Sequence, residues 1–319
     1  MPSENALLPH RRVGGVLVSG LGLGCMPLTM SYGRGRPGRA GHLIARALDL
    51  GVTHFDTADM YGSGANERVL GAAIRHRRDE AFLATKVGIR SRAGIPIGVD
   101  GRPEHIRRAI DNSLRRLQTD HLDLYYLHRP DPSVPVEDSI GTLGELVAAG
   151  KVRQIGVSEF TGEQLRKAHA AHPISALQTE WSIFSRGIEQ DALPVARELD
   201  IAIVAYAPLG RGMLTGSPQA TTKLPLLDIR RTLPRWRRAN LRANLRVVDQ
   251  VRSVANQLDA SPGQVALAWL LAQGPDVIPI PGTTNPAHLE DNVSALHVQL
   301  PAATLQMLSG LNAHGTRYV

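Results

Sequence analysis

Eight short, β-prone apolar runs, each followed by a segment of helical periodicity, constrain this chain more than any other feature. The runs fall at residues 16–25 (a short lead-in and the first strand), 53–55, 82–86, 122–127, 152–157, 176–178, 201–206 and 277–280. Between them lie amphipathic stretches with readable ends. Residues 39–50 stop at Gly51, 103–117 begin on a proline, and 136–149 close at Gly150. Thr161-Gly162-Glu163-Gln164 opens residues 161–171 as a capping box. Further helices are expected over 66–75, 190–199, 286–296 and 302–311. After the seventh run the rhythm breaks into a polar, glycine- and arginine-rich loop, 208–240, then two extra helices near 241–258 and 262–272. Strand and helix alternating eight times predict an α/β fold, a (β/α)8 TIM barrel in a single domain over residues 1–319.

Composition narrows the class. With 43% hydrophobic and 20% charged residues the chain can bury a sizeable core, and no run of about 18 apolar residues is present, so no membrane span is expected. Residues 1–12 lack the apolar core of a signal peptide, and the single cysteine, Cys25, excludes an internal disulfide framework; a cytoplasmic protein is expected. Cys25 sits within Gly22-Leu23-Gly24-Cys25-Met26 and reads as a packing residue. The glycines there run Gly-x-Gly-x-Gly, with the loop 31–38 before the next helix, which fits a tight barrel strand better than a dinucleotide fingerprint.

The net charge is +7 and the pI about 10.0, yet only four of the 36 basic residues are lysines, and the arginines are spread along the chain beside acids. No nucleic-acid partner is expected. The local exception is the cationic run 228–238, which suits the steering of an anionic cofactor.

In a barrel of parallel strands, reacting groups gather at the C-terminal strand ends. The second strand ends on Asp56, the third on Lys86 and the fourth on His128, with Tyr61 on the loop between the first two. A tyrosine is a weak acid near neutral pH; a neighbouring ammonium favours its phenolate, and a carboxylate holds that ammonium charged and in place. A buried ion pair could serve stability alone, but such pairs are often neutral for stability, so one at the strand ends leans towards function. His128 has no companion histidines at ligand spacing and Cys25 stands alone, so no metal site is expected.

In their local wording (FDTADMYG, ATKVG, DLYYLHRP), Asp56, Tyr61, Lys86 and His128 resemble the catalytic tetrad of the aldo-keto reductases. The resemblance runs from Val18 to about Leu311, and "LQTEWS", "AYAPLGRGMLTG" and "IPIPGT" place it nearest the bacterial NADPH-dependent branch. It implies a nicotinamide carboxamide site of Ser158, Glu159 and Gln178, with Glu159 where the family usually has asparagine. Tyr206 resembles the aromatic under the nicotinamide, and Pro208, Leu209, Gly210 and Gly212 the backbone beside the pyrophosphate, where side chains would obstruct. Gly282, Thr283, Thr284, His288, Asp291 and Asn292 match the adenosine end. Basic residues that commonly hold the 2′-phosphate are replaced by Thr284 and His288, so discrimination between NADPH and NADH should be weak unless the arginines of 230–238 compensate.

The resemblance therefore implies reduction of an aldehyde or ketone by NADPH, with NADH possible and Tyr61 as proton donor. The implied partner is a small carbonyl compound, and the protein is expected to be a monomer or small homo-oligomer. A redox-sensing regulatory protein of the same fold is the alternative. Substrate contacts are expected from 26–38, 88–101, 129–132 and 208–238; the short tail ending at Val319 is expected to offer little cover over a substrate.

Overall fold

In the computed structural model, which describes residues 8–30, 38, 40–92, 95–226 and 228–318, eight parallel strands form one sheet. These are β3 (Leu23–Gly24), β4 (His54–Asp56), β5 (Phe82–Val87), β8 (Leu122–Leu127), β9 (Val152–Ser158), β10 (Ala176–Glu180), β11 (Ala202–Tyr206) and β12 (Val277–Pro279), neighbouring in sequence order. The sheet curls on itself. Gly22 N–H donates to Pro279 O at 2.9 Å and Gly24 N–H to Pro281 O at 3.2 Å, tying the first strand to the last. A methyl on Gly24 would stand 2.7 Å from Ile280 O, so the seam closes only around glycine.

Helices α1 (Ala40–Asp49), α2 (Ala65–Ile74), α3 (Pro103–Leu117), α4 (Val136–Ala148), α5 (Gly162–Ala171) and α6 (Ala192–Glu198) follow the strands as expected, with ends within two or three residues. The capping box is made: Gln164 N–H donates to Thr161 Oγ1 while Gln164 Oε1 accepts from Thr161 N–H. Helices α7 (Arg238–Gln257) and α8 (Pro262–Leu271) are the two extra ones; α9 (Pro286–Ser294) and α10 (Ala302–Ser309) complete the ring.

Two hairpins were not foreseen. β1 (His10–Val13) and β2 (Val16–Ser19) pair antiparallel, and Val13 and Val18 join the barrel-lining cluster of Phe82, Ala84, Leu124, Tyr126, Ala202 and Val204. That hairpin adds to the core that packs the barrel interior. β6 (Ile89–Arg92) and β7 (Ile95–Val99) form the second, where an open loop 88–101 was expected. The segment 208–240 is also more ordered than a loop: it folds into short 3₁₀ turns at Gly210–Thr215, Pro218–Ala220, Ile229–Thr232 and Pro234–Trp236. Trp236 anchors them, its indole donating to Ala220 O at 2.9 Å. Residues 31–37 of the expected substrate loop 26–38, Arg39 of the expected helix 39–50, residues 93–94 of the expected loop 88–101 and residue 227 of the expected loop 208–240 lie outside the described residues.

Among the described residues no helix is long and apolar enough to cross a membrane.

Candidate active site at the barrel mouth

Strand periodicity places the chemistry. Alternate residues of a strand share a face. On β5, Phe82 and Ala84 line the barrel interior, so Lys86 points inward one step higher; on β8, Leu124 and Tyr126 lead in the same way to His128. Ala176 leads to Gln178 on β10, and Ala202 and Val204 lead to Tyr206 on β11. The parallel register then sets Lys86 beside Tyr126, Gln178 beside Ser158 and Glu180 beside Tyr206.

Lys86 is fully buried, with its Nζ 2.5 Å from Asp56 Oδ1 and 2.7 Å from Thr57 O. Burial works against the ammonium, but Asp56 and Tyr61 outweigh it and its pKa is raised, so the charge is kept. The Tyr61 ring centroid lies 5.4 Å from Lys86 Nζ, and the Tyr61 and His128 rings meet edge-on at 6.2 Å. Desolvation pushes the Tyr61 phenol up; Lys86 opposes it and Asp56 reinforces it. The net direction is opposite to the expected lowering: the tyrosine holds its proton through the neutral range. His128 is driven well below the usual histidine range by burial, with Lys86 and Arg129 adding to it, and is neutral. Its Nδ1 is sealed off without a partner, which leaves Nε2 as the nitrogen able to meet a ligand.

The loop carrying Tyr61 is held from below. Asn66, fully buried, accepts from Thr57 Oγ1 and donates to Cys25 O and Thr29 Oγ1 at 2.7–2.9 Å. Gly62, Ser63 and Gly64 all adopt positive φ, the turn that brings the chain from Tyr61 into α2. The Cys25 thiol is buried and pushed far up, which fits packing rather than nucleophilic chemistry.

The residues matched to the cofactor lie around the same mouth. Gln178 Nε2 donates to Asp56 Oδ2 at 2.8 Å, and Ser158 Oγ accepts from Arg129 Nη1 at 3.0 Å. The Gln178 carbonyl and the Ser158 hydroxyl proton remain for an amide ligand. Gly210 and Gly212 take φ of 56° and 90°; a methyl on Gly212 would meet Ala220 Cβ at 3.0 Å, so the turn after β11 is shaped for bare backbone. Thr283 is buried and Thr284 half-buried, while Gly282, ahead of α9, and His288, in its first turn, are exposed. Asp291 accepts from Ser261 Oγ and Gln264 Nε2 at 2.8 and 2.9 Å, clasping α9 to α8, with Asn292 buried beside it. The donor set and the glycine cradle fit a nicotinamide dinucleotide.

One expectation is narrowed and one corrected. Of the arginines in 230–238, Arg230 is buried against Asp228, and Arg235 donates to Glu180 Oε1, Phe184 O and Ser185 Oγ. Both are absorbed in building the segment; Arg231, Arg237 and Arg238 stay on the surface. The second concerns the tail, which does cross the site. Arg317 pairs with Glu159, and Tyr318 Oη lies 3.1 Å from Tyr206 Oη. Neither contact carries a local sequence signal. Arg129 enters the expectations only within the substrate-contacting stretch 129–132, although its place directly after His128 is an available hint.

The Aldo/keto reductase family model matches residues 20–313. The chain is 43% identical over 294 residues to "Probable aldo-keto reductase 1" of Glycine max, covering 92% of this chain and 85% of that one. It is 42% identical over 305 residues to "Aldo-keto reductase yakc [NADP(+)]" of Schizosaccharomyces pombe, covering 94% and 90%. Among solved structures, the glycerol dehydrogenase AKR11B4 of Gluconobacter oxydans superposes with a TM-score of 0.86 at 30% identity, covering 94% and 93%. An aldo/keto reductase of Klebsiella pneumoniae in complex with NADP and acetate gives 0.75 at 27% identity, covering 98% and 99%. Barrel, mouth and relatives together define an oxidoreductase of the carbonyl-reducing class. The chain belongs to the aldo/keto reductase family. With a plant and a yeast protein as its relatives here, the matches carry the family and not the bacterial branch.

Proposed function

We propose that this protein reduces an aldehyde or ketone to the alcohol with NADPH, using Tyr61 as the proton donor. The observation that carries the reading is the buried Asp56–Lys86 pair set against a protonated Tyr61 and a neutral His128 at one barrel mouth. Ser158 and Gln178 would hold the carboxamide and Tyr206 the nicotinamide ring. The backbone from Pro208 to Gly212 would hold the pyrophosphate, and Gly282, Thr283, Thr284, His288, Asp291 and Asn292 the adenosine end. NADPH is favoured by the yeast relative named with NADP(+) and the Klebsiella structure containing NADP.

When bound, the coenzyme supplies a hydride for the carbonyl carbon. The chain's own groups manage the oxygen, where negative charge develops. Tyr61 gives up its phenolic proton there, and the Lys86 ammonium offsets the phenolate left behind. Asp56 holds Lys86 in place, and His128 donates an N–H to the same oxygen. Donors fixed where charge develops are the largest single source of rate in such sites.

The test is NADPH oxidation with 4-nitrobenzaldehyde by the wild type and Tyr61→Phe. The variant keeps the ring and loses the proton, and should lose about 10²–10⁴-fold in turnover while still binding coenzyme. Unchanged turnover would remove Tyr61 from the reaction.

A further inference from the structure

Glu159 stands where the family's carboxamide ligand is usually asparagine, and its surroundings point to other work. Its backbone has φ 59°, a left-handed conformation that asparagine adopts readily and glutamate adopts at a cost. Its carboxylate is fully engaged within the protein: Oε1 accepts from Glu180 N–H at 3.0 Å, Thr179 Oγ1 at 3.1 Å and Arg317 Nη1 at 3.0 Å, and Oε2 accepts from Arg317 Nη2.

The tail bearing Arg317 has a firm base and a separate tip. At the base, buried Asn244 on α7 accepts from His314 N–H at 2.7 Å and donates to His314 O at 3.0 Å. Gly315 follows at φ 87°, a conformation suited to a pivot. At the tip, Arg317 forks onto Glu159, and Tyr318 meets the Tyr206 hydroxyl; the Arg211 and Arg317 guanidinium carbons lie 5.1 and 5.4 Å from the Tyr318 ring centroid. Arg211 in turn donates to Glu180 Oε2 at 3.0 Å. The tip thus bridges the end of β9, the end of β11 and the turn after β11, the three segments assigned above to the nicotinamide and pyrophosphate.

We propose that Arg317 and Tyr318 form a latch across the nicotinamide end of the cleft, that Glu159 is its catch rather than a carboxamide ligand, and that the latch opens about Gly315 to pass the dinucleotide. The proposal rests on the coenzyme reading above. Glu159 is then a positioning residue, acting through the tail.

A gate and a ligand leave different kinetic marks. Loosening a gate speeds both entry and exit, whereas removing a ligand speeds exit alone. NADPH association and dissociation, followed by stopped-flow fluorescence without carbonyl substrate, separate the two. Arg317→Ala, on the exposed tail, should raise both rate constants about tenfold, the scale of one lost charge-assisted pair, and change Kd less than either. Arg317→Lys should restore much of the slowing, and Glu159→Gln combined with Arg317→Ala should add little to either alone. If Glu159 is instead a carboxamide ligand, Glu159→Gln will change dissociation only, and Arg317→Ala will match the wild type in both rates. That outcome sinks the latch and leaves the coenzyme site standing. A wild type that binds no NADPH would sink the coenzyme reading and the latch together.

Discussion

Gln178 Nε2 donates to Asp56 Oδ2 at 2.8 Å, joining a residue matched to the coenzyme to the carboxylate that holds Lys86, across 122 positions of sequence. One oxygen of Asp56 serves the lysine and the other serves the glutamine. The two halves of the site share a single buried group.

Gln178→Leu should therefore weaken NADPH binding and turnover together, because Asp56 Oδ2 would be left buried without a partner, at a cost of about 1–3 kcal/mol. Ser158→Ala, on the other side of the mouth, should weaken binding with little change in kcat. Coenzyme Kd and kcat for the two variants check this, and a glutamine change confined to Kd would uncouple the halves.

Lys86→Met should abolish most turnover and also destabilise the fold. The fully buried ammonium and the nearly buried Asp56 carboxylate satisfy each other, and removing one partner of such a pair costs about 3–5 kcal/mol. Asp56→Asn, which keeps a hydrogen-bonding group, should cost less in both respects. Tyr61→Phe combined with Lys86→Met should lose little more activity than either alone, since groups acting as a unit are not additive. Multiplying losses would show that they act separately.

Coenzyme choice should respond to one exposed position. His288 lies in the first turn of α9, where the backbone N–H groups of a helix start favour anions, and it carries no permanent charge. His288→Arg should raise the preference for NADPH over NADH by about tenfold, the worth of one charge-assisted contact. The ratio of the two dissociation constants decides it, and an unchanged ratio would place the 2′-phosphate elsewhere.

Stability should fall in acid through a residue with no place in the reaction. His54 is buried, both ring nitrogens lack partners, and its ring packs edge-on to Phe82. Burial lowers its pKa to about 4, with Lys86 assisting and Asp56 opposing. The unfolded chain thus binds the proton more readily. The stabilisation is whole above the ordinary histidine value of about 6.5 and is lost as pH falls towards 4, by roughly 3 kcal/mol. His128 acts in the same direction. His54→Leu should flatten this decline in urea titrations at pH 7 and pH 4.5; an equal decline in both proteins would refute the assignment.

Much of the site was legible because barrel chemistry is local in its signals. Asp56, Lys86, His128 and Tyr206 each end a strand or lie next to its end, Gln178 sits two residues inside the end of its own, and strand alternation is written in the residues themselves. α3 spans the residues expected of it, Pro103 marking its start in the sequence, while the left-handed Gln118 that ends it carries no such mark. The β6–β7 hairpin was harder to see: Ile95 and Ile97 alternate with polar or small residues, but both are largely exposed, so the pattern lacks the buried face that normally marks a strand.

The residues alone determined the eightfold βα order, the strand ends on which the candidate groups sit, and the caps that stop the helices, because each depends on neighbours a few positions away. Only the tertiary structure decided what the charges do. Whether an arginine faces solvent, a phosphate or a buried carboxylate depends on what the folded chain brings beside it. So Arg230 and Arg235, which read as a cationic loop, are spent on Asp228 and Glu180, and Arg317, in a tail that looked too short to matter, meets Glu159 from 158 positions away. The direction of the Tyr61 pKa was decided in the same way: the lysine is close, as its strand predicts, but the desolvation that outweighs it comes from the whole barrel mouth.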